Sequence, residues 1–528
     1  MIISWDENYP RPLLQRKHWA SLDGDWRFAF DETDEGEEKG WMHALPGNAV
    51  IRVPFSYETK ASGIGRTDQV PAVWYERTVF LADPLQAEEE LALHFEGADF
   101  DTTVWADGVL LGCHLGGYER FSFTFSPSAD HFRLTVRVRD SLSEEQPRGK
   151  QRYKTESWGC WYVQTSGIWK TVWLERVSRI SLSALSAEAA KDGRVVLCGR
   201  VKDPQARALS LKWEICSDDS SLSGEFSLSP APDGTFSAEA FVPCPHFWSP
   251  ERPALYRLQA TLLEGGRLLD EVLSYFAFRD IVFTKEGAFI NGRPYYLRMV
   301  LNQGYWPESG LTAPSLAALK EDLKIARRYG FNGMRLHQKT EDERLLFLCD
   351  RCGMLVWNEM AAAYRYSPEA EAQFTDEWKQ IVSQYKGHPS ILAWVPFNES
   401  WGIPDVREDA AQQAFVRRIY AVTKALDPER PVITNDGWEH AGSDLLTIHD
   451  YRTWGDELLE NHGDAEAAVL AGESSYSWYG QKLFAEGYTY ENQPLFLSEY
   501  GGIAFESENG WGYGDSVRGE GQDLARFL

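Results

Sequence analysis

Apolar and polar positions alternate with a period of two over most of the first 280 residues, and then the pattern changes. Runs such as Leu91-Ala-Leu-His-Phe95, Thr103-Val-Trp105 and Phe132-Arg-Leu-Thr-Val-Arg-Val138 recur to about residue 180, separated by turn residues. Side chains alternate between the two faces of a strand, so these runs predict strands with one face buried. Asp107-Gly108, between Val104-Trp105 and Val109-Leu110, is a type I′ hairpin signal, since both central positions need positive φ. So many short strands in one block predict a β jelly roll over residues 1–180. From 181 to 280 the alternation is stricter, at 209–215, 236–242 and 256–262. A block of about 100 residues of this kind has the size of an immunoglobulin-like β-sandwich, here without the Cys…Trp…Cys arrangement of antibody domains.

Beyond residue 281 short continuous apolar runs alternate with helical ones. Leu316, Leu319, Leu323 and Ala326 share one helix face, as do Phe415, Ile419, Val422 and Leu426. Strand candidates fall at 296–300, 333–337, 354–357, 391–395, 431–434, 445–448 and 494–498. Repeated βα units with wholly apolar strands predict a parallel sheet covered on both faces. Seven in succession point to a (β/α)8 TIM barrel over residues 281–528. The residues after 494 accommodate the seventh strand, a loop and a helix start at 522–528, which leaves the barrel without its last strand.

Charge and composition narrow the partners. With 53 basic against 79 acidic residues the net charge is −26. No basic patch is legible, so neither nucleic acid nor an anionic membrane is an expected partner. The acidic run 31–38 reads as a solvated loop. The start of the chain lacks a basic and apolar leader, and no stretch reaches 18 uninterrupted apolar residues, so a cytoplasmic location is expected. Seven scattered cysteines fit that expectation, and the Cys349/Cys352 pair sits on an amphipathic helix where core packing explains it better than zinc or redox chemistry. The 21 tryptophans favour β cores and ring-stacking sites for sugar faces. A homo-oligomer is left open.

In a barrel the polar residues just past each strand line the mouth. Strand by strand these are Asn302, Gln303 and Trp306; Arg335, His337 and Gln338; Glu359; Asn398 and Glu399; Asn435, Asp436 and Trp438; His449, Asp450, Tyr451 and Trp454; and Glu499 and Tyr500. Glu399 and Glu499 end strands four and seven, across the mouth from one another. A single strand-end glutamate commonly binds a backbone N–H or an arginine. Two opposed ones, flanked by asparagine and aromatic rings, match the acid and the nucleophile that glycoside cleavage requires. In those roles Glu399 should have a pKa raised by burial, and Glu499 should stay ionised beside a basic or hydroxyl donor.

Pro396-Phe-Asn-Glu-Ser-Trp-Gly402 resembles the acid/base motif of glycoside hydrolase family 2, the β-galactosidase/β-glucuronidase group. Phe496-Leu-Ser-Glu-Tyr-Gly-Gly502 resembles its nucleophile segment. Leu22-Asp-Gly-Asp-Trp-Arg-Phe28, Phe95-Glu-Gly-Ala-Asp-Phe100, Val104-Trp-Ala-Asp-Gly108 and Gly167-Ile-Trp-Lys-Thr-Val-Trp-Leu174 resemble its sugar-binding jelly roll. The resemblance implies Glu399 as acid/base and Glu499 as nucleophile of a retaining double displacement, with Asn398 on the sugar 2-OH. It further implies Tyr451 and Tyr500 as donors around the nucleophile; Trp438 and Trp454, placed near the mouth by their strand ends, are candidate substrate-binding rings. Arg335 and His337 resemble the family's strand-two pair, although one residue separates them where two is commoner. Glu359 is expected as a polar supporting group rather than a metal ligand, and neither metal nor cofactor is expected.

No Asn-x-Lys pair of the kind β-glucuronidases use for the substrate carboxylate is visible after Glu499, and 501–516 holds no lysine. The expectation is therefore an exo-β-glycosidase on neutral sugars, β-galactosidase-like. β-Glucosidase or transglycosylase action on β-glucans, and sugar binding without turnover, are the alternatives.

Overall fold

The computed structural model describes residues 5–203, 208–452, 455–464 and 481–501. The first block folds as two facing antiparallel sheets. One has four strands in the order Trp19–Ser21, Val172–Ser178, Glu89–Phe95, Phe121–Phe125. The other has six, in the order Ala49–Val53, Gly24–Asp31, Ala72–Phe80, His131–Arg139, Asp101–Ala106, Val109–Leu115. The expected hairpin is present: Asp107 and Gly108 have φ of 50° and 79°, and Ala106 pairs with Val109. Alternate residues such as Trp26, Phe28, Leu93, Phe95, Leu134 and Val136 interdigitate as its core.

The acidic run is not wholly solvated. Asp31 is buried and accepts from the backbone N–H groups of Glu35 and Gly36 and from Trp74 Nε1, so its carboxylate closes the loop from inside.

The second block is a sandwich of three strands (Leu182–Ala189, Arg194–Val201, Thr235–Phe241) on four (Ser221–Leu228, Leu209–Cys216, Tyr256–Glu264, Arg267–Phe276). A small three-stranded sheet at Ile281–Thr284, Gly287–Ile290 and Arg293–Tyr295 then leads into the third block.

The barrel strands are β1 (Met299–Asn302), β2 (Gly333–Leu336), β3 (Leu355–Glu359), β4 (Ile391–Val395), β5 (Asn435–Asp436), β6 (Leu446–Asp450) and β7 (Leu495–Tyr500). β1 to β4 pair in parallel, Phe397–Asn398 beyond β4 pairs in parallel with β5, and β6 pairs in parallel with β7. Helices α1 (Leu316–Arg328), α2 (Glu343–Cys352), α3 (Pro368–Tyr385), α4 (Ala410–Leu426) and α5 (Gly455–His462) lie between them. Ser315, Asp342, Ser367 and Asp409 cap the first four with side-chain oxygens on free N–H groups.

Two strands lie later than the apolar runs suggest. β1 starts at Met299 rather than 296, because Tyr295 is spent on the preceding small sheet. Only Asn435 and Asp436 form β5, while the run at 431–434 contributes a single bridge, Val432 to Trp394. No closing eighth strand occurs among the described residues, and the helix expected at 522–528 lies outside them. Cys349 is fully buried in the barrel core and burial raises its thiol pKa, as the packing reading requires. Among the described residues no helix is long and apolar enough to cross a membrane.

The first block is bolted onto the barrel. Glu377 of α3 accepts from the backbone N–H groups of Gly117 and Tyr118 at 3.0 and 2.9 Å, and Glu96 caps Glu343 N at 2.8 Å. Tyr118 and Trp169 enter the barrel's own core.

Candidate active site

Each strand end delivers its polar residue to one mouth, and Arg335 of β2 is the centre. Its guanidinium donates from Nε to Glu359 and from Nη1 to Glu499, and its Nη2 lies 2.6 Å from both Asn398 Oδ1 and Asp436 Oδ2. A planar fork with five donors can serve several carboxylates at once, which an ammonium cannot. Glu499 receives a second bond from the Tyr451 hydroxyl, so this carboxylate is held from two sides. The Asn398 amide is half used: its Oδ1 accepts from Arg335, while its Nδ2 is buried without an acceptor among the described residues.

Glu399 and Ser400 follow at φ of 52° and 60°, a left-handed turn that non-glycine residues rarely adopt. The turn is over-determined by bonds from Glu399 N to Asp436 O at 2.9 Å and from Ser400 N to Asn435 Oδ1 at 3.0 Å. It aims the Glu399 side chain at His449, whose Nδ1 is 2.8 Å from Glu399 Oε1. His449 Nε2 is 3.0 Å from Asp436 Oδ2 and 3.5 Å from Glu499 Oε1. Burial opposes a charge on His449, but Glu499, Asp436 and Glu399 outweigh it and push its pKa up to about 10.

This arrangement corrects one expectation. Burial alone would raise the Glu399 pKa, but the His449 hydrogen bond and charge, with Lys150 and Arg335 behind them, bring it below the usual carboxylate value. Glu399 and His449 therefore titrate as one coupled pair.

Most sequence-predicted positions converge. Arg335, His337, Glu359, Asn398, Glu399, Tyr451 and Glu499 form one contact network. His337 Nδ1 lies 2.9 Å from Glu359 Oε2, and burial next to Lys150 and Arg335 keeps the ring neutral. Glu359 accepts from Gln338 N at 2.9 Å as well as from Arg335, the supporting place expected for it, and burial raises its pKa. Trp438 is buried, its ring edge-on to His449 at 5.6 Å.

Tyr500 does not join the site. Neighbouring residues on a strand point to opposite faces, so with Glu499 turned inward Tyr500 faces out, 56% exposed, its pKa raised by partial burial and by the neighbouring Tyr296. Trp454 lies outside the described residues.

Two contributions went unrecognised. His449 was visible only as a strand-end residue, with nothing in the sequence to give its two carboxylate partners. The connection at 147–162, which carries Tyr153, Trp158, Trp161 and Tyr162, crosses from the first block to the mouth. Trp161 packs edge-on against Trp401 at 5.4 Å, and the Tyr162 hydroxyl donates to Gln303 at 2.8 Å. Its density of aromatic rings was the available signal.

Glu399, His449 and Glu499 bring one ligand-type atom each within 4.8 Å of one another. A metal would need the imidazole neutral with a free lone pair. A histidine with its pKa near 10 and both nitrogens on carboxylates fits an ion-pair network instead.

Comparison with known proteins gives three profile matches in order along the chain. They are "Glycosyl hydrolases family 2, sugar binding domain" at 19–176, "Glycosyl hydrolases family 2" at 179–279, and "Glycosyl hydrolases family 2, TIM barrel domain" at 281–513. The chain belongs to glycoside hydrolase family 2. Curated family 2 relatives include a beta-glucuronidase of Paenibacillus borealis, 23% identical over 94% of this chain and 85% of that protein. The beta-galactosidase BoGH2A of Bacteroides ovatus is 22% identical over 82% of this chain. The chain spans only 56% of the latter's length, and 46% of a Formosa agariphila relative's. Among solved structures, a beta-glucuronidase from Ruminococcus gnavus aligns with a TM-score of 0.74 at 19% identity, covering 96% of this chain and 86% of that one. A family 2 beta-galacturonidase from Eisenbergiella tayi aligns at 0.70 and 20%, covering 94% and 83%. At such identities these likenesses speak for the fold: sugar-binding jelly roll, immunoglobulin-like sandwich and TIM barrel.

Proposed function

We propose that this family 2 chain is a retaining exo-β-glycosidase, with Glu399 as acid/base and Glu499 as nucleophile. The observation that carries the reading is the approach of the two carboxylates, whose nearest atoms lie within 4.8 Å. Retaining enzymes need a gap of about 5–5.5 Å, whereas an inverting one leaves about 6.5–9.5 Å for a water.

The chemistry then follows from the residues. Glu499, steadied by Arg335 and Tyr451, attacks the anomeric carbon while Glu399 protonates the departing oxygen. The proton comes from the Glu399–His449 pair. A covalent glycosyl–Glu499 ester results, and the leaving alcohol departs neutral. Glu399 then takes a proton from water, which attacks the same carbon and frees Glu499, giving the sugar with its original configuration. The unspent Asn398 amide N–H is suited to the sugar 2-OH, where a hydrogen bond strengthens as positive charge develops on the ring.

For the sugar itself, the sequence favours a neutral, β-galactosidase-like residue. The curated and structural relatives named above include β-glucuronidases and a β-galacturonidase, which favour an acidic one. Hydrolysis of a panel of nitrophenyl β-glycosides, neutral and acidic, tests the reading with Glu499→Gln as control. Turnover of at least one substrate, abolished by the substitution, is expected. Sugar binding without turnover of any member would replace the enzyme by a lectin-like protein.

A further inference from the structure

We infer that Lys150, brought to the barrel mouth by the first domain, recognises a carboxylate on the terminal sugar of the substrate. The inference rests on the glycosidase reading and adds the substrate class.

Lys150 sits on the connection between His131–Arg139 and Gly167–Ile168, and its position against the barrel is fixed by backbone contacts. The N–H groups of Arg148 and Gly149 both donate to Ala362 O, at 2.8 and 3.0 Å, just beyond β3. Gly149 has φ of 58°, and a Cβ there would stand 2.2 Å from Gln338 O, just beyond β2. Only glycine allows so close an approach. On the other side, Gln151 is tied to Asp99 at 2.7 Å and to the Tyr118 hydroxyl at 3.0 Å. With both neighbours locked, the lysine backbone has little freedom.

Lys150 is 5% exposed, yet among the described residues its ammonium finds only the Cys160 thiol as a hydrogen-bond partner, at 3.4 Å, with the Trp161 ring 5.9 Å away. No carboxylate of the described residues lies within 4.0 Å of it. The other cations around the mouth are served: Arg335 by three carboxylates, His449 by Glu399 and Asp436, and Lys339 by Glu341 at 2.7 Å and two carbonyls. A buried charge without a counter-ion is unfavourable, so it is expected where a charged partner arrives with the ligand. The lysine is close enough to His337 and Glu399 to lower the pKa of each, so its field reaches the Glu399 side of the mouth.

An anionic group on a sugar held at this mouth is what such a cation would meet. A hexuronic acid carries its carboxylate on C5, across the ring oxygen from C1. A sugar hydroxyl could accept one hydrogen bond from Lys150 but would leave its charge unmatched.

Two measurements on the purified chain test this separately from the glycosidase reading. The first is kcat/KM on nitrophenyl β-glucuronide, β-galacturonide, β-glucoside and β-galactoside for wild type, Lys150→Met and Lys150→Arg. The expected result is a preference for an acidic sugar that falls by about 100-fold relative to the neutral ones in Lys150→Met and is partly kept in Lys150→Arg. The second is calorimetric titration with free glucuronate and galacturonate against glucose and galactose, which needs no turnover. Tighter uronate binding lost in Lys150→Met supports the inference even in an inactive chain. Neutral preference in wild type, or an acid-to-neutral ratio unmoved by Lys150→Met, overturns it and leaves the glycosidase reading standing.

Discussion

His449 and Glu399 meet at 2.8 Å, Nδ1 to Oε1, across the ends of β6 and the turn after β4. The proposed acid/base is therefore one half of a charged pair. Because the pair shares a proton, its alkaline limit follows the proton's departure from the pair, near pH 10 for His449. With His449→Gln, Glu399 must hold its proton alone. The alkaline limb of kcat/KM should then fall by at least about two units. A limb that does not move would mean that His449 plays no part in loading the acid.

Glu399→Gln removes the proposed acid while keeping the shape. Substrates with poor leaving groups should lose about 10²–10⁴-fold in rate, and dinitrophenyl glycosides, which need no protonation, much less. Added azide should restore turnover on the activated substrates and yield the β-glycosyl azide. Equal losses on both classes would assign Glu399 a different role.

Arg335 is a stabilising as well as a positioning group. Replacing it by methionine takes from buried Glu359, Glu499 and Asp436 the one cation they share and leaves Glu359 the least compensated, at a cost of about 3–5 kcal/mol. Arg335→Lys should fall between, since a lysine keeps the charge but not the fork. Urea unfolding measures both. Wild-type stability in Arg335→Met would contradict the network.

Below the barrel, His388 lies 2.6 Å from Asp350 and 3.7 Å from Glu343, and these carboxylates overcome burial to raise its pKa to about 9. A histidine raised in the folded state stabilises fully below its unfolded value of about 6.5, and that contribution disappears as pH climbs through 9. The full effect is on the order of 3 kcal/mol. The stability gap between wild type and His388→Gln should be wide at pH 6 and narrow at pH 9.5. An equal gap at both values would show that His388 does not titrate in that window.

The sequence carried the architecture because each block has its own hydrophobic period, two in the sheets and helical between the barrel strands. It carried Glu399, Glu499 and Asn398 because a barrel strand's end lies at the mouth whatever the loops do. What it did not carry depends on contacts between distant segments. The fork of Arg335 reaches β3, β7 and the end of β4, and the His449 pairing joins residues 50 apart. Tyr500 was misplaced for a local reason: β7 runs to that residue, so strict alternation turns it away from Glu499. Lys150 belongs to a connection with no regular strand of its own, and periodicity is silent there.

If Glu499 attacks the sugar, the ester it forms can be trapped. The chain is incubated with activated 2-deoxy-2-fluoro β-glycosides of the sugar it hydrolyses, digested, and the labelled peptide sequenced by mass spectrometry. A single glycosyl adduct on Glu499, absent in Glu499→Gln, is expected. An adduct on any other carboxylate, or a product released with inverted configuration, would contradict it.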